Sequence, residues 1–226
     1  MLKAKPRRRA LLAGGTGLVG RALLPLLLES PRYRSVCLLL RRAAAGLPTH
    51  AKSSSVVVDF GQLPALPAAD DLYIALGTTI RVAGSQEAFR RVDFDAVLAT
   101  AKAGRAAGAT RLLVVSALGA DASSRVFYNR VKGEMEQAIA GLGYESVVIA
   151  QPSLLLGDRE AIGQPARAGE RWAARMMRPA SLLLPAGIRP IPAAFVARAL
   201  LRAAADAGPG VTRLSSAQMQ RTGRAA

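Results

Sequence analysis

The stretch GGTGLVG, Gly14 to Gly20, constrains this chain more than any other. It follows the apolar run RALLAGG (9–15) and opens the longer apolar stretch LVGRALLPLLLES (18–30). A buried strand, a glycine turn and a helix in that order let a backbone come close to an anion. The helix start then offers its unpaired N–H groups and the positive end of its dipole. Two glycine spacings are satisfied at once, Gly15-x-Gly17-x-x-Gly20 and Gly14-x-x-Gly17-x-x-Gly20. Both are spacings of dinucleotide-binding turns. Gly14, Thr16, Gly17, Leu18, Val19 and Gly20 are therefore candidates to hold a pyrophosphate. Pro25 is expected to kink the helix or to limit its first turns.

The rest of the chain repeats the alternation. SVCLLL (35–40), SVVVD (55–59) and DLYIAL (71–76) are short, apolar and bounded by loops, which predicts buried parallel strands. Residues 85–108 read as one long helix, TRLLVVSA (110–117) as a strand, 126–142 as a helix and YESVVIAQP (144–152) as a sixth strand. The fold class that follows is α/β: a Rossmann-type doubly wound parallel sheet in a single domain, with its core at about 9–152. Beyond Pro152 the pattern loosens into a small substrate-side region over 153–216. Helices are expected at 167–178 and 192–206 and a short strand at 211–216. Residues 217–226 read as a fraying tail.

Composition narrows the chemistry. With 226 residues, 51% of them hydrophobic, the chain can bury a full core, so disorder throughout is excluded. One histidine (His50) and one cysteine (Cys37) give no metal-ligand pattern and no internal disulfide. An acid or base must then be Tyr, Lys, Asp or Glu. The net charge of +16 points to anionic partners, a phosphorylated cofactor among them. No aromatic platform accompanies the arginines, which argues against specific nucleic-acid binding. The charge and the basic KAKPRRR (3–9) are compatible with weak contact to an anionic membrane, and a protein partner stays open. No apolar run is long enough to span a bilayer, and no convincing signal-peptide cleavage site follows the basic N-terminus. The expectation is a soluble, cytoplasmic protein.

Two further features carry chemistry. Where a carboxylate would hold the ribose hydroxyl of NAD, the second strand ends in Arg41 and Arg42. A guanidinium fork matches a 2′-phosphate, so these arginines predict NADP(H) as cofactor. Tyr128 and Lys132, four apart on one helix face, follow Ser116, which ends the fifth strand on the ligand-binding side of such a sheet. Tyr128 would exchange a proton with a reacting oxygen, Lys132 would favour the phenolate, and Ser116 would polarise a carbonyl oxygen. A small-molecule carbonyl or alcohol is the substrate class this set predicts.

Four stretches in order, GGTGLVGRALL, LGTTIRVAGSQEAFRRVD, SALGADASSRVFYNRVKGEME and QPSLLLGDRE, resemble the atypical short-chain dehydrogenases/reductases. More narrowly, they resemble the branch of the Tat-interacting-protein oxidoreductases. It implies a single NADP(H)-binding domain and a catalytic Ser116–Tyr128–Lys132 set, with Lys132 also on the nicotinamide ribose. It further implies that Leu76, Gly77 and Thr78 pass beside the cofactor, that Asp59 lies near the adenine, and that Gln151, Pro152 and Ser153 lie by the nicotinamide. The family's animal members usually have Arg-Pro-Gly at the last three positions. The branch includes regulatory proteins, so an NADPH sensor without turnover is one alternative. A nucleotide-sugar epimerase is another, although the stretch after Pro152 is short for its substrate lobe.

Overall fold

A computed structural model describes residues 7–44, 46–157, 185–206 and 208–224. The expected helix at 167–178, with Trp172, Met176 and Met177, lies outside the described residues. Seven parallel strands form the main sheet: β1 (Arg8–Ala13), β2 (Tyr33–Leu40), β3 (Ser53–Val57), β4 (Asp71–Ile74), β5 (Arg111–Val115), β6 (Ser146–Gln151) and β9 (Gly210–Ser215). Their spatial order is β3-β2-β1-β4-β5-β6-β9. The order reverses between β1 and β4, where the chain leaves β3 and returns to the other side of β1. A crevice opens there at the strands' carboxyl ends, and ligands of such sheets bind in it. A two-stranded ladder, β7 (Leu155–Leu156) with β8 (Ile191–Pro192), stands beside that end.

Alternation along the strands divides the core in two. Leu12, Leu38, Leu40, Tyr73, Leu113 and Val148 face helices α1 (Leu18–Glu29) and α6 (Ala193–Asp206). Their neighbours Leu11, Cys37, Leu39, Leu72, Ile74, Leu112, Val114, Val147 and Ile149 face α4 (Ala96–Ala106) and α5 (Phe127–Ala140). Burial on both faces is why these strands read as unbroken apolar runs. Helix α1 runs through Pro25, which sits on its exposed side.

Two expectations need correction. The single helix over 85–108 is instead α3 (Gln86–Arg90), a π-turn at Arg91–Asp95 and α4, preceded by a short α2 (Ile80–Ala83). Ser85 caps α3 by accepting from the Ala88 N–H at 3.1 Å, and the π-turn rotates Asp93 inward. The tail is not frayed: α7 (Ser216–Arg224) buries Ser216, Met219, Gln220 and Gly223, a spacing that puts all four on one helix face. It packs on α6, and the expected short strand is β9, which joins the main sheet beside β6.

At the amino ends of the strands a buried polar knot ties the sheet together. The Asp71 carboxylate, fully buried, accepts from the Tyr33 hydroxyl at 2.8 Å and pairs with Arg8 at 2.7 Å, Arg32 at 3.5 Å and Arg111 at 3.8 Å. Burial, and then the nearby Asp71 charge, push the Tyr33 phenol well above its usual range, so it stays a neutral donor. The Tyr73 hydroxyl lies 2.6 Å from that of Tyr33. Removing the carboxylate alone strands three cations against one another. Asp71→Ala is therefore expected to cost about 3 kcal/mol of stability, read as a lower urea midpoint. A cost below about 1 kcal/mol would mean the arginines find full compensation in water.

Candidate functional site

The glycine turn is set by contact with β4. Gly14 has φ +83, and a Cβ on it would lie 2.4 Å from the Ala75 carbonyl carbon, so neither conformation nor space admits a side chain. A Cβ on Gly20 would lie 2.1 Å from the Gly14 oxygen, which seats α1 directly on the turn. Gly17 differs. Its φ of −81 and ψ of 174 suit any residue, and a Cβ there would meet nothing nearer than the Gly14 oxygen at 3.4 Å. Neither strain nor protein packing requires glycine at 17. Its bare edge faces a cavity of about 470 Å³. Gly17 also caps α1 without a side-chain hydrogen bond, and the helix's first turn carries no acidic residue. The positive end of α1 thus opens onto this cavity, as an incoming pyrophosphate requires.

The same cavity gathers most of the sequence-predicted residues. Gly17, Leu18, Val19, Leu76, Gly77, Thr78, Ser116, Tyr128, Lys132, Pro152 and Ser153 all line it. Gly14 and Gly20 shape the turn behind it, and Thr16 is exposed beside it. Arg41 and Arg42 follow the carboxyl end of β2, exposed and outside the lining. Asp59 is exposed beyond β3, where its Oδ1 accepts from the Gly61 N–H at 2.8 Å. Gln151 does not line the cavity: its amide turns away, toward Glu136.

Helix α5 supplies a row of candidate functional side chains at spacing four. Tyr128, half-buried, packs its ring against Phe89 with centroids 5.2 Å apart. One turn on, Lys132 is buried and its Nζ lies 2.7 Å from Asp93 Oδ1. The other oxygen, Asp93 Oδ2, accepts from the Thr78 N–H at 2.9 Å. The ion pair fixes the ammonium, and a carboxylate beside it offsets part of the field that Lys132 would exert on Tyr128. A further turn on stands Glu136, also buried. Its Oε1 accepts from the Ser116 hydroxyl at 2.6 Å and from the Gln151 amide at 2.9 Å, and its Oε2 from Arg213 Nε at 3.1 Å.

Sequence reasoning missed Asp93 and Glu136. Nothing local marks Asp93, because the π-turn aims it. Glu136 had a signal: it continues the four-residue spacing from Tyr128 through Lys132, so one face of α5 carries all three. The far wall was missed as well. Gln220 of α7 donates to the Ala186 and Arg189 carbonyls at 3.0 and 2.9 Å, and the Ser216 hydroxyl donates to Ser153 at 2.9 Å. Ser153 in turn donates to the Arg189 carbonyl. The expected tail therefore braces the loop that carries Ile188, itself a lining residue.

No protein-family model matches the chain. Its curated relatives include the protein fmp52, mitochondrial, of Emericella nidulans, 37% identical over 169 residues, covering 71% of this chain and 72% of the relative. They also include FMP52, mitochondrial, of Eremothecium gossypii, 37% identical over 155 residues, covering 67% and 68%. Among solved structures, MoeE5 in complex with UDP-glucose and NAD matches with a TM-score of 0.67 at 19% identity, covering 92% of this chain and 76% of that one. A UDP-N-acetylglucosamine 4-epimerase from Methanobrevibacter ruminantium M1 matches with a TM-score of 0.69 at 13% identity, covering 92% and 76%. A short chain dehydrogenase family protein from Francisella tularensis matches with a TM-score of 0.66 at 12% identity, covering 95% and 100%. These likenesses confirm the Rossmann-type fold. The curated relatives are named FMP52 rather than Tat-interacting-protein oxidoreductase, and that name replaces the expected branch. Their names also say mitochondrial, which overturns the expectation of a cytoplasmic protein. That expectation rested on the lack of a spanning segment, a property that does not distinguish one aqueous compartment from another. The chain belongs to the FMP52 family.

Proposed function

We propose that this member of the FMP52 family is an NADP(H)-dependent oxidoreductase acting on a small carbonyl or alcohol. One observation carries the reading: Ser116, Tyr128 and Lys132 line the same cavity as Gly17 and the uncapped start of α1. The residues fit a dinucleotide, since the turn leaves at Gly17 a space that a methyl group would fill and that no protein atom occupies. Gly14, Thr16, Gly17, Leu18, Val19 and Gly20 would hold the pyrophosphate. Asp59 would lie toward the adenine, with Leu76, Gly77, Thr78, Pro152 and Ser153 along the remainder. The nicotinamide, when bound, supplies or accepts the hydride.

The protein's own groups handle the proton and the geometry. Tyr128 gives its hydroxyl proton to the developing alkoxide in reduction and recovers it in oxidation. Lys132, held by Asp93, sits one helical turn below and keeps a positive charge near that exchange. Ser116, at the end of β5, contacts the reacting oxygen. Val82, Leu118, Leu154 and Ile188 make much of the remaining wall apolar, which suits an apolar substrate.

Arg41 and Arg42 support NADP(H) over NAD(H). They lie beyond β2, exposed, and none of the ion pairs among the described residues involves them. A guanidinium left free of carboxylates suits a 2′-phosphate. The nucleotide-sugar alternative has less support. Asp93 and Lys132 are the only charged residues among the described lining, and they pair with each other. Among the described lining residues, a second pyrophosphate would find no spare cation.

Replacing both Arg41 and Arg42 by alanine should weaken NADPH binding by about tenfold or more while changing NADH binding less than about twofold, by fluorescence titration. An equal loss for both cofactors would remove the preference. Against a panel of apolar ketones and aldehydes, Tyr128→Phe should lower kcat at least about 100-fold with NADPH affinity intact. Full activity in that variant would refute the proton-transfer role. NADPH binding without turnover in the unaltered protein would favour the sensor.

A further inference from the structure

We infer that Glu136 is a positioning residue that fixes Ser116 as a hydrogen-bond acceptor toward the ligand, so that the site binds alcohol in preference to carbonyl. The inference rests on the carbonyl/alcohol reading above and reverses the expectation that Ser116 polarises a carbonyl oxygen. A serine hydroxyl has one hydrogen and two lone pairs. In Ser116 the hydrogen points to Glu136 Oε1 at 2.6 Å, with both residues buried. What remains for the cavity is a lone pair, and a lone pair repels a carbonyl oxygen but accepts from an alcohol O–H.

The carboxylate is held in place from three strands. Ser116 closes β5, Gln151 ends β6 and donates to both carboxylate oxygens at 2.9 and 3.1 Å, and Arg213 of β9 donates at 3.1 Å. Two backbone bonds set the approach of the first two. The Ser116 N–H donates to the Ala150 carbonyl at 2.7 Å, and the Leu118 N–H donates to the Pro152 carbonyl at 2.8 Å. Ser116, Gln151 and Arg213 together hold the Glu136 carboxylate on the serine, and Arg213 pairs with its charge. Turning the hydroxyl toward a neutral ketone would exchange a bond to an ionised acceptor for a neutral one, about half as strong. The exchange is unfavourable, so the serine keeps its direction. In the reduction direction Tyr128 alone then donates to the carbonyl oxygen. Once Tyr128 has given its proton and been reprotonated from solvent, the single hydrogen of the product hydroxyl is free to donate to Ser116.

The test uses the full chain loaded with the hydride-inert tetrahydro form of NADPH, so that both probes meet one cofactor state and nothing turns over. Cyclohexanol and cyclohexanone are titrated by calorimetry into the unaltered protein and into Ser116→Ala, Glu136→Leu and Glu136→Gln. The expected result is alcohol binding about tenfold tighter than ketone in the unaltered protein. The ratio should fall to within about twofold of unity in Ser116→Ala and Glu136→Leu and survive in Glu136→Gln, whose amide oxygen can still accept from the serine. A purely structural role for Glu136 would lower stability without moving this ratio. A second readout needs no ligand. Proton NMR should show a slowly exchanging, downfield hydroxyl resonance that Ser116→Ala and Glu136→Leu abolish and Glu136→Gln retains. Ketone bound as tightly as alcohol, or no such resonance, overturns the inference and leaves the oxidoreductase reading standing. The resonance present with cofactor bound and neither probe binding supports the serine's orientation and overturns the carbonyl/alcohol reading instead.

Discussion

The carboxyl end of the sheet depends on one close approach of two backbones, Gly14 against Ala75. A side chain at 14 would overlap the β4 backbone, so the turn after β1 can lie flat on the neighbouring strand only because nothing projects from it. That contact places the start of α1 over the point where the strand order reverses. Helix dipole, unpaired N–H groups and crevice then coincide without any charged side chain in the turn. Gly20 transmits the same constraint by seating the helix on the turn, whereas Gly17 stands outside it and leaves an edge open to the cavity.

Opposite the turn, α5 works as a ruler. Its spacing of four puts Tyr128, Lys132 and Glu136 on one face, and each is tied to a different part of the sheet's upper edge. Tyr128 rests on Phe89 of α3, Lys132 on Asp93 of the π-turn, and Glu136 on the ends of β5, β6 and β9. Buried Lys132 pairs with buried Asp93, and buried Glu136 pairs with the half-exposed Arg213, so each buried charge has an opposite charge beside it. Rigidity in the three anchors lets a small cavity present its polar groups in fixed directions.

Much of this was legible in the sequence, and the remainder was hidden for identifiable reasons. The inner strands are buried on both faces, so their apolar runs are continuous and their order follows from the alternation with helices. The turn and the Ser116–Tyr128–Lys132 set are carried by short spacings that survive without tertiary information. Asp93 was not legible, because a π-turn inserts an extra residue and changes the face on which it emerges. Helix α7 looked like polar tail, since Met219 is the one large apolar residue in its buried stripe and Gln220 earns its place by holding carbonyls of a distant loop. Gln151 was expected toward the cofactor on resemblance alone. The carboxylate of Glu136, separated from β9 by three strands in sequence but paired with its Arg213 in space, draws the amide the other way.

In the proposed function the open edge at Gly17 serves a cofactor's pyrophosphate. Parallel fluorescence titrations of the unaltered protein and Gly17→Ala with NADPH test it most directly, with urea unfolding of both as the control. The added methyl group meets no protein atom nearer than 3.4 Å, so stability should fall by about 1 kcal/mol or less, the cost of a poorer helix cap. NADPH should bind the unaltered protein saturably, and the variant at least about tenfold more weakly, because the methyl group stands where the phosphate must approach. Equal affinity in the two proteins, or no binding to either, would contradict the account.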